Sequence, residues 1–291
     1  MNDSSNPRFV APVKPVDPLT RGVLRCVDQV AAVVASRYFV VGAMARDLVL
    51  VNAFGLRPGR ATRDIDFGLT VGNWEQFQTL KTALMETGQF DAAPNDAHRL
   101  NWKDPETGAI TPVDLIPFGG VASEDKTIAW PPNRDLVMNV AGFEEASESA
   151  IRLQIEDDLV VRVASIPGLT VLKLIAWERR RNENNKDAAD LRHLLLYYGD
   201  AGNLDRLYEQ EMPLLEAAGF DVELAGAQLL GRDTARICHK DTRVRIRALL
   251  DSDPLVDQLI VQMAGAGFLE DVQAERISGL LGRFCEGFLG D

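Results

Sequence analysis

Two aspartates separated by one residue carry the first chemical signal in this chain. In Thr62-Arg-Asp-Ile-Asp-Phe67, Asp64 and Asp66 lie on a segment whose polar/apolar alternation predicts a strand. Both side chains then leave the same face, about 6–7 Å apart along the chain. Two ionised carboxylates that close raise each other's proton affinity unless a cation lies between them. Divalent magnesium suits the arrangement, because it favours oxygen ligands and takes one or two protein carboxylates while phosphates and water complete its octahedron. A third acid, Asp114, stands in Pro112-Val-Asp-Leu-Ile-Pro117, a hydrophobic strand in which a lone carboxylate is costly unless it meets a charged partner, an arginine or a metal. If that strand pairs beside the first, the three carboxylates converge. A separation beyond about 8 Å excludes two shared ions, which sit only ~4 Å from each other.

The elements that must position these acids follow from the hydrophobic pattern. Residues 1–19 hold Pro7, Pro12, Pro15 and Pro18, a density that opposes helices and ladders and predicts an extended arm. A helical stretch through Val23, Leu24, Val27, Val30 and Val34 leads to the apolar strand Tyr38–Val41, then Gly42, then a helix from Ala43 to about Val51. A loop over Gly55–Arg63 reaches the Asp64–Val71 strand, and Trp74–Thr87 reads as an amphipathic helix. His98–Trp102 and Ile110–Ile116 flank Asp104-Pro-Glu-Thr-Gly108, a hairpin turn signal, and β-rich sequence continues to about Ser165. From Ile166 nearly everything reads as helix: Leu169–Arg181, Lys186–Tyr198, Leu204–Gln210, Val222–His239, Arg243–Leu250, Leu255–Ala264 and Leu269–Leu289. The fold class is α+β: a mixed β-sheet domain with flanking helices over residues 20–165, then an all-helical domain over 166–291.

Taken in order, Gly42-Ala-Met-Ala-Arg-Asp47, Thr62-Arg-Asp-Ile-Asp-Phe-Gly68 and Val113-Asp-Leu-Ile-Pro-Phe118 resemble the nucleotidyltransferase fold of the DNA polymerase β superfamily. Lys173-Leu-Ile-Ala-Trp-Glu-Arg-Arg180 and Lys186-Asp-Ala-Ala-Asp-Leu191 resemble the third and fourth motifs of its AbiEii/AbiGii toxin branch. The resemblance spans about residues 35–200. It implies that Asp64 and Asp66 hold two Mg²⁺ ions and that Asp114 shares one and helps deprotonate the attacking hydroxyl. It also implies that Gly42 lets backbone approach the phosphates of a nucleoside triphosphate. Ala43 departs from the superfamily's usual Ser or Gly, removing a hydroxyl, and Arg46 one turn on is the residue expected to compensate. Lys173 and Asp190 complete the expected nucleotide site.

Those helical positions have a plainer reading as well. Lys173, Trp177 and Arg180 share one helix face, and Lys186, Asp187 and Asp190 fall at i, i+3 and i+4 spacings, which salt-bridged solvated faces also show. The isolated His98, His193 and His239 read as packed or surface residues. Trp130-Pro-Pro132 reads as a structural turn rather than a nucleotide-stacking lip.

The chain's 31 basic and 43 acidic residues, net −12, disfavour a nucleic-acid-coating protein. The charge is uneven: Lys173–Lys186 and Arg232–Arg247 carry local balances of +3 and +4. Three dispersed cysteines give neither a disulfide framework nor a zinc site. With no signal-like N-terminus and no run near ~18 apolar residues, a cytoplasmic location is expected. The expected activity is Mg²⁺-dependent transfer of NMP from an NTP to an acceptor hydroxyl, on a tRNA 3′ end or a protein side chain. A toxin paired with a cognate antitoxin fits the resemblance. The alternatives are an antibiotic-type small-molecule nucleotidyltransferase, which needs an enclosed acidic pocket, and a catalytically silent nucleotide-binding module.

Overall fold

A computed structural model describes residues 9–94, 96–265 and 271–290; residues 1–8 of the arm and the expected helix start at Leu269 lie outside them. Strand β1 (Phe9–Val10) is followed by helix α1 (Pro18–Val33), β2 (Arg37–Val41) and α2 (Gly42–Asp47), which widens into a π-helical turn (Leu48–Ala53). Next come β3 (Ile65–Val71), α3 (Trp74–Glu86), β4 (Phe90–Ala92), β5 (Arg99–Lys103), β6 (Ile110–Gly119), β7 (Thr127–Ala129) and β8 (Val137–Asn139). After α4 (Phe143–Glu148) the hairpin β9 (Ile151–Glu156) and β10 (Leu159–Val163) ends the strands.

Eight strands form one mixed sheet in the order β1-β9-β10-β2-β3-β6-β5-β4, and β7 pairs with β8 separately. The arm departs from its expected character at Phe9–Val10, which lie between prolines yet pair in parallel with β9 at the sheet edge. An edge strand needs only one side of its backbone for the ladder, so nearby prolines are tolerated there. Helix α4 interrupts a stretch read as β-rich. It is short, and it starts after Gly142 at φ +85°, a conformation that glycine adopts without strain.

Local chemistry explains the main helices. Asp17 accepts the amide of Thr20 to cap α1, and Pro18 fills its first turn, where a missing N–H costs nothing. Asn73 caps α3 and Ser165 caps α5 (Ile166–Arg180) in the same way. Helices α1 and α3 pack together and against β10 and β3, covering one face of the sheet. On that face Trp102 of β5 lies close against Gly22 of α1, and Leu100, Ile65, Phe67, Val113 and Leu115 are fully buried. By strand alternation, Arg99, Asp66 and Asp114 belong to the opposite face.

That face meets the helices. Beyond α5 run α6 (Lys186–Tyr197), α7 (Leu204–Glu209), α8 (Met212–Ala217), α9 (Val222–Ile237), α10 (Lys240–Leu250), α11 (Asp253–Ala264) and α12 (Asp271–Leu289). Helices α9 and α12 make the closest pair: a Cβ on Gly231 would sit 2.2 Å from the Phe284 carbonyl oxygen. No helix among the described residues is long and apolar enough to cross a membrane.

Candidate active site

Strand pairing assembles the acids. β3 runs parallel to β6 with Asp66 directly opposite Asp114. Asp64, just before β3, is two residues away from Asp66 and therefore in phase with it. One oxygen from each of Asp64, Asp66 and Asp114 lies within 4.8 Å of the others, well inside the limit set by two ions sharing a carboxylate cluster. The donor set consists solely of carboxylate oxygens, which matches a hard divalent cation such as Mg²⁺.

The glycine turn belongs to the same cluster. β2 pairs antiparallel with β3, placing Val41 opposite Asp66, and Gly42 follows at φ +71°. A Cβ on Gly42 would stand 1.9 Å from Oδ2 of Asp66. Glycine is thus required here twice, for its backbone conformation and to leave room for a carboxylate.

Each carboxylate has a different environment. Burial, then the negative charges of Asp114 and Asp64, push Asp66 up to about 7. Burial also acts on Asp64, but the Thr62 hydroxyl (2.5 Å), its own backbone amide and the Arg99 and Arg60 guanidinium groups outweigh it and hold Asp64 below the usual carboxylate value. Asp114 is buried and gripped by Arg99, which lies opposite it on β5. Arg99 Nε donates to Oδ1 and Nη2 to Oδ2, each at 2.7 Å. Sequence reasoning left Arg99 out. It supplies the arginine partner weighed for Asp114, and its clue was the predicted hairpin, which brings the residues after Ala97 alongside the Asp114 strand.

The acids line a cavity of about 780 Å³ between the sheet and the helices, together with Gly42, Ala43, Lys173 and the rim residues Arg63, Arg179 and Lys186. These three rim cations form no ion pair among the described residues. Lys173 faces the cavity but is held by Asp190 (2.6 Å) and Asp187 (3.2 Å).

Arg46 and Asp190 stand behind this wall, among neither the cavity's lining residues nor its rim. Both are 1% exposed and pair with each other. Arg46 also binds Asp47 and the Arg60 carbonyl, and Arg60 reaches Asp190. The expectation that Arg46 presents its charge to phosphate therefore gives way to a buried ion-pair network: a side chain on the inner face of α2 finds its acid 144 residues away. Cationic surroundings, Lys173 first, outweigh burial and hold Asp190 below the usual value. Trp177, which shares the Lys173 face of the helix, is fully buried and donates to Gln262.

The second basic stretch is largely consumed as well. Arg232 pairs with Glu211, Arg236 with Asp233 and Arg245 with Glu178, while Arg247 donates to the Leu289 carbonyl. Trp130 is buried against Trp74 and Phe77, in keeping with a structural turn. His98 lines the cavity with its ring against Trp130, His193 bonds the Arg57 carbonyl, and His239 pairs with Glu148.

Comparison with known proteins gives the family of this chain. The model of the family described as nucleotidyl transferase AbiEii toxin, type IV TA system, matches residues 40–258. No curated protein matches the chain. Among solved structures the chain is similar to an antigenic nucleotidyltransferase-like protein from Paracoccidioides brasiliensis, at 17% identity over 71% of this chain and 94% of that one, with a TM-score of 0.43. It is also similar to the antibiotic-resistance factor ANT(2'')-Ia, at 14% identity over 70% and 98%, TM-score 0.37. A Thermotoga maritima CCA-adding enzyme complexed with tRNA matches at 13% identity over 96% and 83%, TM-score 0.27. With its glycine turn, carboxylate cluster and helical motifs all within the matched span, the chain belongs to the AbiEii nucleotidyltransferase toxin family.

Proposed function

We propose that this nucleotidyltransferase moves an NMP from an NTP to a hydroxyl of a polyanionic acceptor, the 3′ end of a tRNA, and acts as the toxin of a toxin–antitoxin pair in the cytoplasm. The observation that carries the reading is the convergence of Asp64, Asp66 and Asp114 beside the Gly42 turn, on a cavity rimmed by Arg63, Arg179 and Lys186, which form no ion pair among the described residues. Family membership supports the toxin role and a cognate antitoxin as partner.

Asp64, Asp66 and Asp114 are the residues that would hold two Mg²⁺ ions. Bound there, the metal lowers the pKa of the attacking hydroxyl and neutralises charge on the phosphates. The acceptor oxygen bonds to the α-phosphorus, the bond from that phosphorus to its β-bridging oxygen breaks, and pyrophosphate leaves. The hydroxyl proton passes to a carboxylate of the cluster, with Asp114 the residue implied by the resemblance. Gly42 and Ala43 bring backbone to the phosphates, and Lys173 adds a point charge. Arg46 and Asp190 serve the nucleotide site from behind, fixing α2 against α5 and α6.

The rim cations Arg63, Arg179 and Lys186 favour a phosphate-bearing acceptor over a cationic antibiotic, because opposite charge raises both encounter rate and residence. Three carboxylates held at this spacing favour an active site over a silent module, since their mutual repulsion is costly without a cation. Incubation with each radiolabelled NTP, Mg²⁺ and bulk tRNA, and separately with lysate protein or aminoglycosides, tests the reading. Label on tRNA that disappears with Asp66→Ala is expected. Label that survives the substitution overturns the site, and label on protein or antibiotic alone overturns the acceptor.

A further inference from the structure

Arg99 is the only side chain that ion-pairs with the carboxylate cluster among the described residues. Its fork uses both oxygens of Asp114, and the same Nη2 stands 3.8 Å from Oδ2 of Asp64. A bidentate guanidinium takes one in-plane lone pair on each oxygen of a carboxylate, in the plane along which a metal ion also approaches. Asp114 is buried, at 7% exposure, so its oxygens have few alternative approaches. Arg99 is itself about one-third exposed on the cavity wall, at 32% of its side chain, and has open space into which to turn.

We propose that Arg99 is an internal counter-ion that a metal must displace from Asp114, so that it sets the metal affinity of the site. The proposal rests on the metal-binding reading of the carboxylate cluster. A monovalent guanidinium offsets part of the repulsion among three acids, and a divalent ion offsets more; the two compete for the same oxygens. Once displaced, Arg99 remains on the cavity wall, where the phosphates of an incoming nucleotide are its available partners. Metal and nucleotide therefore load together. Arg99 is a positioning residue in this scheme: it acts through Asp114.

The alternative is that Arg99 orients Asp114 for the metal, as outer-shell partners do, and that removing it weakens metal binding by about 10- to 100-fold. The two ideas predict opposite signs. Mn²⁺ titration of the full chain at pH 8, followed by the EPR signal of free Mn²⁺, decides between them. Four proteins are compared: the native chain, Arg99→Gln, Arg99→Lys and Asp66→Asn, with circular dichroism reporting the fold. The expected result is loss of Mn²⁺ binding in Asp66→Asn and about tenfold tighter binding in Arg99→Gln, since competitor and positive charge go together. Arg99→Lys keeps the charge, loses the fork and falls between, and it decides the matter if the Gln variant does not fold. Unchanged or weaker binding in the Arg99 variants, with loss in Asp66→Asn, overturns the proposal and leaves the metal site standing. Equal binding by native and Asp66→Asn removes the metal site, and the proposal with it.

Discussion

Asp187 and Asp190 are among the most buried acids in the chain, and each is met by more than one cation: Lys173 and Arg180 for the first, Lys173, Arg46 and Arg60 for the second. Asp64, Asp66 and Asp114, a short distance away, ion-pair with a single arginine among the described residues, Arg99. Buried ion pairs with their partners in place are self-sufficient, and removing one member is what damages them. A cluster with more acids than cations is in the opposite condition: it has capacity for a further positive charge. The same residue type thus makes a strut in one region and a reactive wall in the other, and the local ratio of charges decides which.

Substitutions at the two sites should separate these roles. Asp66→Ala should abolish nucleotide transfer by at least about a thousandfold while leaving the fold intact by circular dichroism. Asp190→Ala should act first on the fold. It removes the acid that Arg46, Arg60 and Lys173 share, leaving Asp47 to the first and Asp187 to the last, at a cost of about 3 kcal/mol, visible as a lower urea midpoint; a stable Asp190→Ala protein would show the network to be dispensable. Gly42→Ala links the two regions, since a methyl there collides with Asp66. It should lower transfer about a hundredfold, with a stability loss of about 1–2 kcal/mol from the left-handed backbone alone.

Acidity gives a finer test. Because Asp66 is raised to about 7 in the folded chain, against about 4 for an unfolded aspartate, the native state binds more protons than the unfolded state between those values. Metal-free stability should therefore fall as pH rises from about 4 to 7, and Asp66→Asn should remove that slope. Transfer at subsaturating metal should move the other way, dropping about tenfold between pH 8 and pH 6. Asp190, held low, should contribute nothing in that window. The smallest effect belongs to the rim: Arg179→Ala should raise the KM for tRNA a few-fold and flatten its salt dependence, with kcat unchanged.

How much of this was legible depends on the range of the interaction involved. Asp64 and Asp66 announced themselves through strand alternation, and Asp114 through its isolation in an apolar strand, both local signals. Arg99 was half-legible: the hairpin that brings it to Asp114 was visible, but its register was not, because register depends on the whole pairing. Arg46 was read outward toward phosphate when it points inward. Helical spacing fixes which residues share a face, and tertiary packing decides which face is buried. Arg232–Arg247 taught the same lesson, since counting charges along the chain says nothing of Glu211 or Glu178 across the bundle. The Phe9–Val10 strand was missed because prolines were treated as excluding any ladder, when a sheet edge asks for half of one.

The register of β3 against β6 has one more consequence. Asp114 reaches the cluster only because an odd-even count along β6 matches that of β3. Deleting one residue between Gly108 and Val113 would leave composition, charge and predicted strand intact, yet would turn the acid into the apolar layer under α1 and α3 and bring a valine or leucine to the cavity. Activity in this chain is thus stored partly as parity, a property that point substitutions barely sample and that a single insertion or deletion erases.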